Sequence, residues 1–235
     1  MKKIIISLGI LILTVTAYSE NFIFVGNDGN TQVEQQDQNS YDFEMQDLWN
    51  KIKKMDAQIS HQPDKEKLEK IHDEYVEDFN RYLEYLKKNP ELLFKKGDYY
   101  FRMARYDKAL KVFAADETNI KNIFGAATCA RFLNKNMRAL EYYIKVIEKD
   151  RNFYEAYLGR GIINRNIGNY EGAISDFNNY LSYSQEESVY LGLGDTYAAA
   201  GRYREAKNIM EEGRRKYPDS QLIKELLNRI YTKLK

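Results

Sequence analysis

The sequence predicts an all-α protein: a solenoid of stacked helix-turn-helix repeats, preceded by a helical pair and closed by a capping helix. Three observations carry this reading. A short phrase recurs, "GNYEGAISDF" from Gly168 to Phe177 and "GRYREAKNIM" from Gly201 to Met210, and a recurrence of roughly 20 to 50 residues marks units that bury their apolar faces only against their neighbours. Apolar residues step by three and four over long stretches, the spacing of one helix face. The chain holds only three prolines, Pro63, Pro90 and Pro218, so helices can run uninterrupted between them.

The first element, "MKKIIISLGILILTVTAYSE", has a basic tip at Lys2 and Lys3, an apolar run from Ile4 to Val15, and small residues at Ala17 and Ser19. This is the pattern of a cleaved export signal over residues 1–19. The alternative, an uncleaved anchor, needs about 20 apolar residues to cross a bilayer, and the run is shorter. With the signal removed, the mature chain begins near Tyr18 or Glu20, carries no stable membrane span, and is periplasmic or extracellular. The formal charge then falls from +1 to −1, which gives no overall bias toward nucleic acid. The charge is nonetheless uneven, with an acid-rich segment from Glu20 to Asn89 and a basic one from Arg202 to Lys235.

Residues 20–40 are polar, without an apolar period, and read as a flexible linker. Residues 41–89 read as an N-terminal helical pair. The first helix places Tyr41, Met45, Leu48, Ile52, Met55 and Ile59 on one stripe, and the second, opened by Pro63 and Asp64, carries Leu68, Ile71, Tyr75, Phe79, Tyr82 and Leu86. Two arrangements are open for this pair. It stacks on the first repeat as a degenerate unit, or it forms a short coiled coil through which chains oligomerise.

From Pro90, with Asn89 as its N-cap, the repeats begin. The alanines Ala109, Ala139, Ala173 and Ala206 mark the second helix of each of four units in residues 90–235. A large residue and a small one four positions on mark the first helix: Leu93 and Gly97, Ile123 and Ala127, Tyr157 and Gly161, Tyr190 and Gly194. Small side chains let two helices approach at the short end of the usual range of about 8 to 10 Å. Gly168, Gly201 and Asn134 fall in the turns, where a left-handed residue ends a helix at least cost, while Ala104 departs from that choice. The first unit is short near "FAADETNIKNIF", so its second helix ends early. "SQLIKELLNRIYTKLK" supplies the cap, with Leu222, Leu226, Leu227, Ile230 and Leu234 on one side.

This pattern of large residue, small residue and alanine at a period near 34 resembles the tetratricopeptide repeat (TPR). The resemblance implies a right-handed superhelix lined by the first helices of the repeats, and a scaffold that holds a protein or peptide partner in its groove. It implies groove positions at Phe94, Asp98 and Phe101, at Phe124, Thr128 and Arg131, at Leu158, Ile162 and Arg165, and at Leu191 and Asp195. The Lys and Asn arrangement with which some members clamp a terminal carboxylate is missing, since the first repeat offers Phe94 and Asp98. A peptide with apolar anchors and acidic character follows, with Arg131 and Arg165 giving charge-assisted bonds. The aromatics could equally fill the interior themselves. The layout of signal, helical segment and C-terminal repeats resembles coordinator proteins of the Tol system in the cell envelope.

Catalytic and cofactor motifs are absent from the sequence: no HExxH, no GxSxG, no GxxxxGK and no paired cysteines. His61 and His72 have no cysteine companion for a metal, and the lone Cys129, in "GAATCARF", reads as a buried structural thiol. No enzyme, cofactor or metal site is expected.

Overall fold

A computed structural model of the chain describes residues 39–61 and 64–235. The expected signal, the linker up to residue 38 and Pro63 lie outside the described residues. Among the described residues there are eleven α-helices and no strand: α1 (Asn39–His61), α2 (Lys65–Lys87), α3 (Pro90–Arg102), α4 (Tyr106–Phe113), α5 (Ile120–Phe132), α6 (Asn136–Lys149), α7 (Tyr154–Asn166), α8 (Tyr170–Tyr183), α9 (Glu187–Ala199), α10 (Tyr203–Lys216) and α11 (Gln221–Leu234). None is long and apolar enough to cross a membrane. The helices pair as α3 with α4, α5 with α6, α7 with α8 and α9 with α10, and each pair packs on the next, with α11 closing the stack. This is the helical-repeat solenoid that the period requires.

Local chemistry sets the boundaries. Asn89 caps α3 by accepting a hydrogen bond from the Leu92 N–H at 3.1 Å, and Pro90 takes the first helical position, where its missing N–H costs nothing. Asn169 and Ser220 cap α8 and α11 in the same way. Gly168 and Gly201 are left-handed, at φ +83° and +76°, and Asn134 joins them at +55°. Ala104 also turns left-handed, at +54°, so the first unit keeps the turn geometry although its Cβ is strained there. Helix α4 is only 8 residues long. The turn that follows it is held by Asp116, which accepts from the Thr118 N–H at 2.8 Å, the Thr118 hydroxyl at 2.6 Å and Asn122 Nδ2 at 2.9 Å.

Small residues sit where helices cross. A Cβ on Gly97 would lie 2.6 Å from Cδ1 of Phe113, and one on Gly194 would lie 2.5 Å from Cγ of Met210. Ala109, Ala127, Ala139, Ala173 and Ala206 are fully buried, as are Tyr100, Tyr143, Tyr180 and Tyr190, which fill the space between helices. Cys129 lies among them; burial pushes its thiol pKa up, so it stays protonated and inert.

The helical pair α1 and α2 joins the same core, which runs without a break from Met45 to Ile163. Trp49 stacks on Tyr82 at 5.3 Å and meets Tyr99 and Tyr100 of α3 edge-on at 5.2 and 5.6 Å. Lys108 of α4 pairs with Asp56, and Arg105 donates to the Ser60 hydroxyl at 2.9 Å. Met45, Leu48, Ile52 and Met55 are therefore buried within a single chain. In α11 the buried stripe is Ile223, Leu226, Leu227 and Ile230. Leu222 is only half-buried and Leu234 is exposed, a correction of phase to the sequence reading. Lys145 pairs with Glu117 at 2.5 Å, across the gap between units.

Candidate protein-binding face

The first helices of the four units, α3, α5, α7 and α9, carry all eleven positions that the resemblance implied. Adjacent helices are tied directly, since Phe101 of α3 meets Phe132 of α5 at 5.6 Å and Arg165 of α7 pairs with Asp195 of α9. The positions divide into two classes. Phe101, Thr128, Ile162, Arg165 and Leu191 are buried, while Phe94, Asp98, Phe124, Arg131, Leu158 and Asp195 keep part of their surface.

Much of the aromatic stripe is satisfied within the chain. Phe101 is wedged between Tyr106, at 5.4 Å, and Phe132, and those two rings stack on each other at 4.6 Å. Phe124 rests on Phe153 of the next unit at 4.9 Å and on Tyr143 at 6.0 Å, and Phe94 leans on Phe113 at 5.8 Å. Phe94 and Phe124 are thus anchored on one side and open on the other, while Phe101 is core.

The charged positions are also rearranged. Arg165 and Asp195, implied as separate contacts for a partner, bind each other, with side chains only 7% and 13% exposed. Two charges that leave water need each other to offset the loss of hydration, so this guanidinium is committed inside the chain. Burial, its largest influence, pulls its pKa below the ordinary value. Asp98 accepts from Arg102 Nε at 2.8 Å, and burial raises its carboxyl pKa against the pull of that arginine. Arg131 is placed differently. Its Nε donates to the Tyr143 hydroxyl at 3.3 Å and its guanidinium lies 4.6 Å above the Phe132 ring, which leaves the terminal nitrogens of the guanidinium for a ligand.

The sequence reading missed Tyr143. Its hydroxyl lies 3.4 Å from Thr128 Oγ1 and receives the Arg131 hydrogen bond, so it orients the arginine of the row that is not engaged with a carboxylate. Its place four residues after Ala139 was the available signal. A second polar group, away from the row, has the same logic: Arg160 grips Asp176 through both Nε and Nη2, and Asn164 donates to the same carboxylate at 2.9 Å. Neither histidine enters a site, for both are exposed, and no group of metal-ligating side chains occurs among the described residues.

Comparison with known proteins places these observations in a family. Models of the tetratricopeptide repeat match residues 124–186 and 167–230. No curated protein matches the sequence. Among solved structures, YrrB, described as a TPR protein with an unusual peptide-binding site, is 19% identical over 80% of this chain and 95% of its own, with a TM-score of 0.58. A tetratricopeptide repeat protein from Parabacteroides merdae is 20% identical, covering 80% of this chain and 74% of its own, with a TM-score of 0.56. MamA from Desulfovibrio magneticus is 15% identical over 60% of this chain and 83% of its own, with a TM-score of 0.57. At these identities the likeness is one of fold. The matched repeats, together with paired helices that cross at small residues, make this chain a tetratricopeptide repeat protein.

Proposed function

We propose that the protein is an exported scaffold of the cell envelope, serving its assembly or maintenance, and that it holds a partner protein or peptide against α3, α5, α7 and α9. The observation that carries this is the row of half-buried side chains, Phe94, Phe124, Arg131 and Leu158, anchored from behind by Phe113, Phe153 and Tyr143. Apolar side chains held rigid on one side and open on the other are suited to burying a partner's apolar anchors, because their own ordering cost is already met. Asp98 and Asp195 each have an arginine of their own, so Arg131 sets the charge preference of the row. The ligand is a segment with apolar anchors and an acidic group. The fold supports a binding role over a catalytic one, since tetratricopeptide solenoids are typically interaction scaffolds, and the unusual peptide-binding site of YrrB belongs to a protein of the same fold. The amino-terminal pattern of Lys2, Lys3 and the apolar run to Val15 supports export.

Arg131→Glu combined with Leu158→Ser should reduce partner capture from the native envelope at least tenfold, with far-ultraviolet circular dichroism unchanged. Undiminished capture would move the site off these helices. Export is tested separately, by N-terminal sequencing of the mature chain, which should start near Tyr18 or Glu20; retention of Met1 would overturn it.

A further inference from the structure

The two ends of the stack carry opposite, unneutralised charge. Residues 39–89 hold twelve Asp and Glu against nine Lys and Arg, a net −3, and residues 200–235 hold ten Lys and Arg against five Asp and Glu, a net +5. The excess is placed on outward faces. In α2 the buried side is Tyr75, Phe79, Tyr82 and Leu86, so Glu69, Asp73 and Glu77, each four apart, share the opposite side and are exposed. No described cation pairs with Asp73 or Glu77, although Lys51, Lys70 and Lys87 nearby neutralise Glu74, Glu66 and Glu84. Like charges four apart on a helix repel, and this row has no internal reason to persist. Val76 stands exposed beside it.

At the other end, Arg229 and Lys233 are exposed on α11, again four apart, and Arg214 and Arg215 are exposed at the end of α10. None of the four has an ion pair among the described residues. Arg214 lies close enough to influence Tyr231, which stands on the flank of α11 away from Arg229 and Lys233, so these two residues of α11 form a basic flank of their own.

We propose that this protein associates head to tail, the acidic outward face of α2 in one copy docking on the basic flank of α11 in the next. Each surface supplies what the other lacks. Because they sit at opposite ends of one stack, the contact is heterologous and one copy cannot satisfy itself, so association continues beyond the dimer, into rings or open chains. The contact is exposed and charge-driven, so it is weak and responds strongly to salt.

Sedimentation velocity of the full chain tests this in three preparations: the unaltered protein, a head variant (Asp73→Lys, Glu77→Lys) and a tail variant (Arg229→Glu, Lys233→Glu). All four positions are exposed, and circular dichroism verifies that the variants fold. At about 20 mM salt, where charges act over more than 10 Å, the mass of the unaltered protein should rise with concentration, and it should fall to the monomer at about 300 mM. Each variant alone should remain monomeric at low salt, since the reversed residues then meet like charge on the docking surface of the next copy. An equimolar mixture of the two should associate again. A monomeric unaltered protein at low salt would overturn the proposal, as would variants that associate like it, or a mixture that stays monomeric. Binding of the unaltered protein to anionic phospholipid vesicles, lost in the tail variant and with no mixing effect, would assign the basic surface to a membrane instead.

Discussion

Replacing Gly159 by alanine probes one of the tightest crossings in the stack. Gly159 lies in α7, and the ring of Tyr143 from α6 lies across it. A Cβ built on Gly159 would stand 2.5 Å from the Tyr143 hydroxyl oxygen and nearer still to the ring. The ring cannot simply swing away. Tyr143 is 1% exposed, Phe124 packs on it, and its hydroxyl is engaged by Thr128 and Arg131. Overpacking of this kind costs about 1 to 3 kcal/mol, against a gain of about 1 kcal/mol because alanine is the better helix former. With the ring fixed on all sides the upper end of that cost applies, so the net loss should be about 2 kcal/mol, read as a lower urea midpoint followed by circular dichroism at an unchanged slope. Gly161→Ala is the internal comparison. There the Cβ would lie 3.1 Å from Phe177, so a shift of a few tenths of an ångström relieves it, and gain and loss should nearly cancel. Equal or greater stability of Gly159→Ala would refute the argument that side-chain clearance sets the helix spacing here.

Other outcomes follow from single contacts. Ala104→Gly should stabilise the chain by about 0.5 to 1 kcal/mol in the same assay, because a left-handed alanine is strained and glycine is not. Arg165→Ala should destabilise by about 2 to 3 kcal/mol by leaving Asp195 without its partner, while Arg165→Met with Asp195→Leu should recover most of the loss. Lys96 lies 4.3 Å above the Trp49 ring, and burial, with Lys53 nearby, lowers its pKa to about 8. Between that value and 10.5 the unfolded chain holds a proton that the folded chain has lost, so this group's contribution to stability rises with pH. Lys96→Met should therefore stabilise at pH 7, and the advantage should fade toward pH 10 in urea titrations at each pH.

The fold was legible because its causes are local and recur. Helix phase follows from apolar spacing, the turns from Gly168, Gly201 and Asn134, and the crossings from small residues facing large ones. The helix starts were visible in Asn89 and Pro90. What was not legible depends on directions that no spacing encodes. Arg165 and Asp195 stand in successive units, and only the rotation of α7 against α9 turns them toward each other rather than toward a partner. Phe101 and Phe124 both belong to the implied row, yet one is core and the other half-open, because Tyr106 and Phe132 close over the first alone. Gly159 carries the tighter contact than Gly161 because of the way the Tyr143 ring points. Ala104 looked like a departure from the turn pattern, and the backbone keeps the pattern despite it. In α11 a one-residue shift of phase exchanges Leu222 for Ile223 in the core.

The claim that a partner is held on the row of half-buried side chains is tested most directly by site-specific photo-crosslinking in the native cell. A photoreactive side chain is placed singly at Phe124, Arg131 or Leu158 on the row, and at Asn178 or Ile144, exposed positions on the second helices. The account predicts covalent adducts of one defined size from the three row positions and none of that size from the other two. Adducts confined to Asn178 and Ile144 would contradict it.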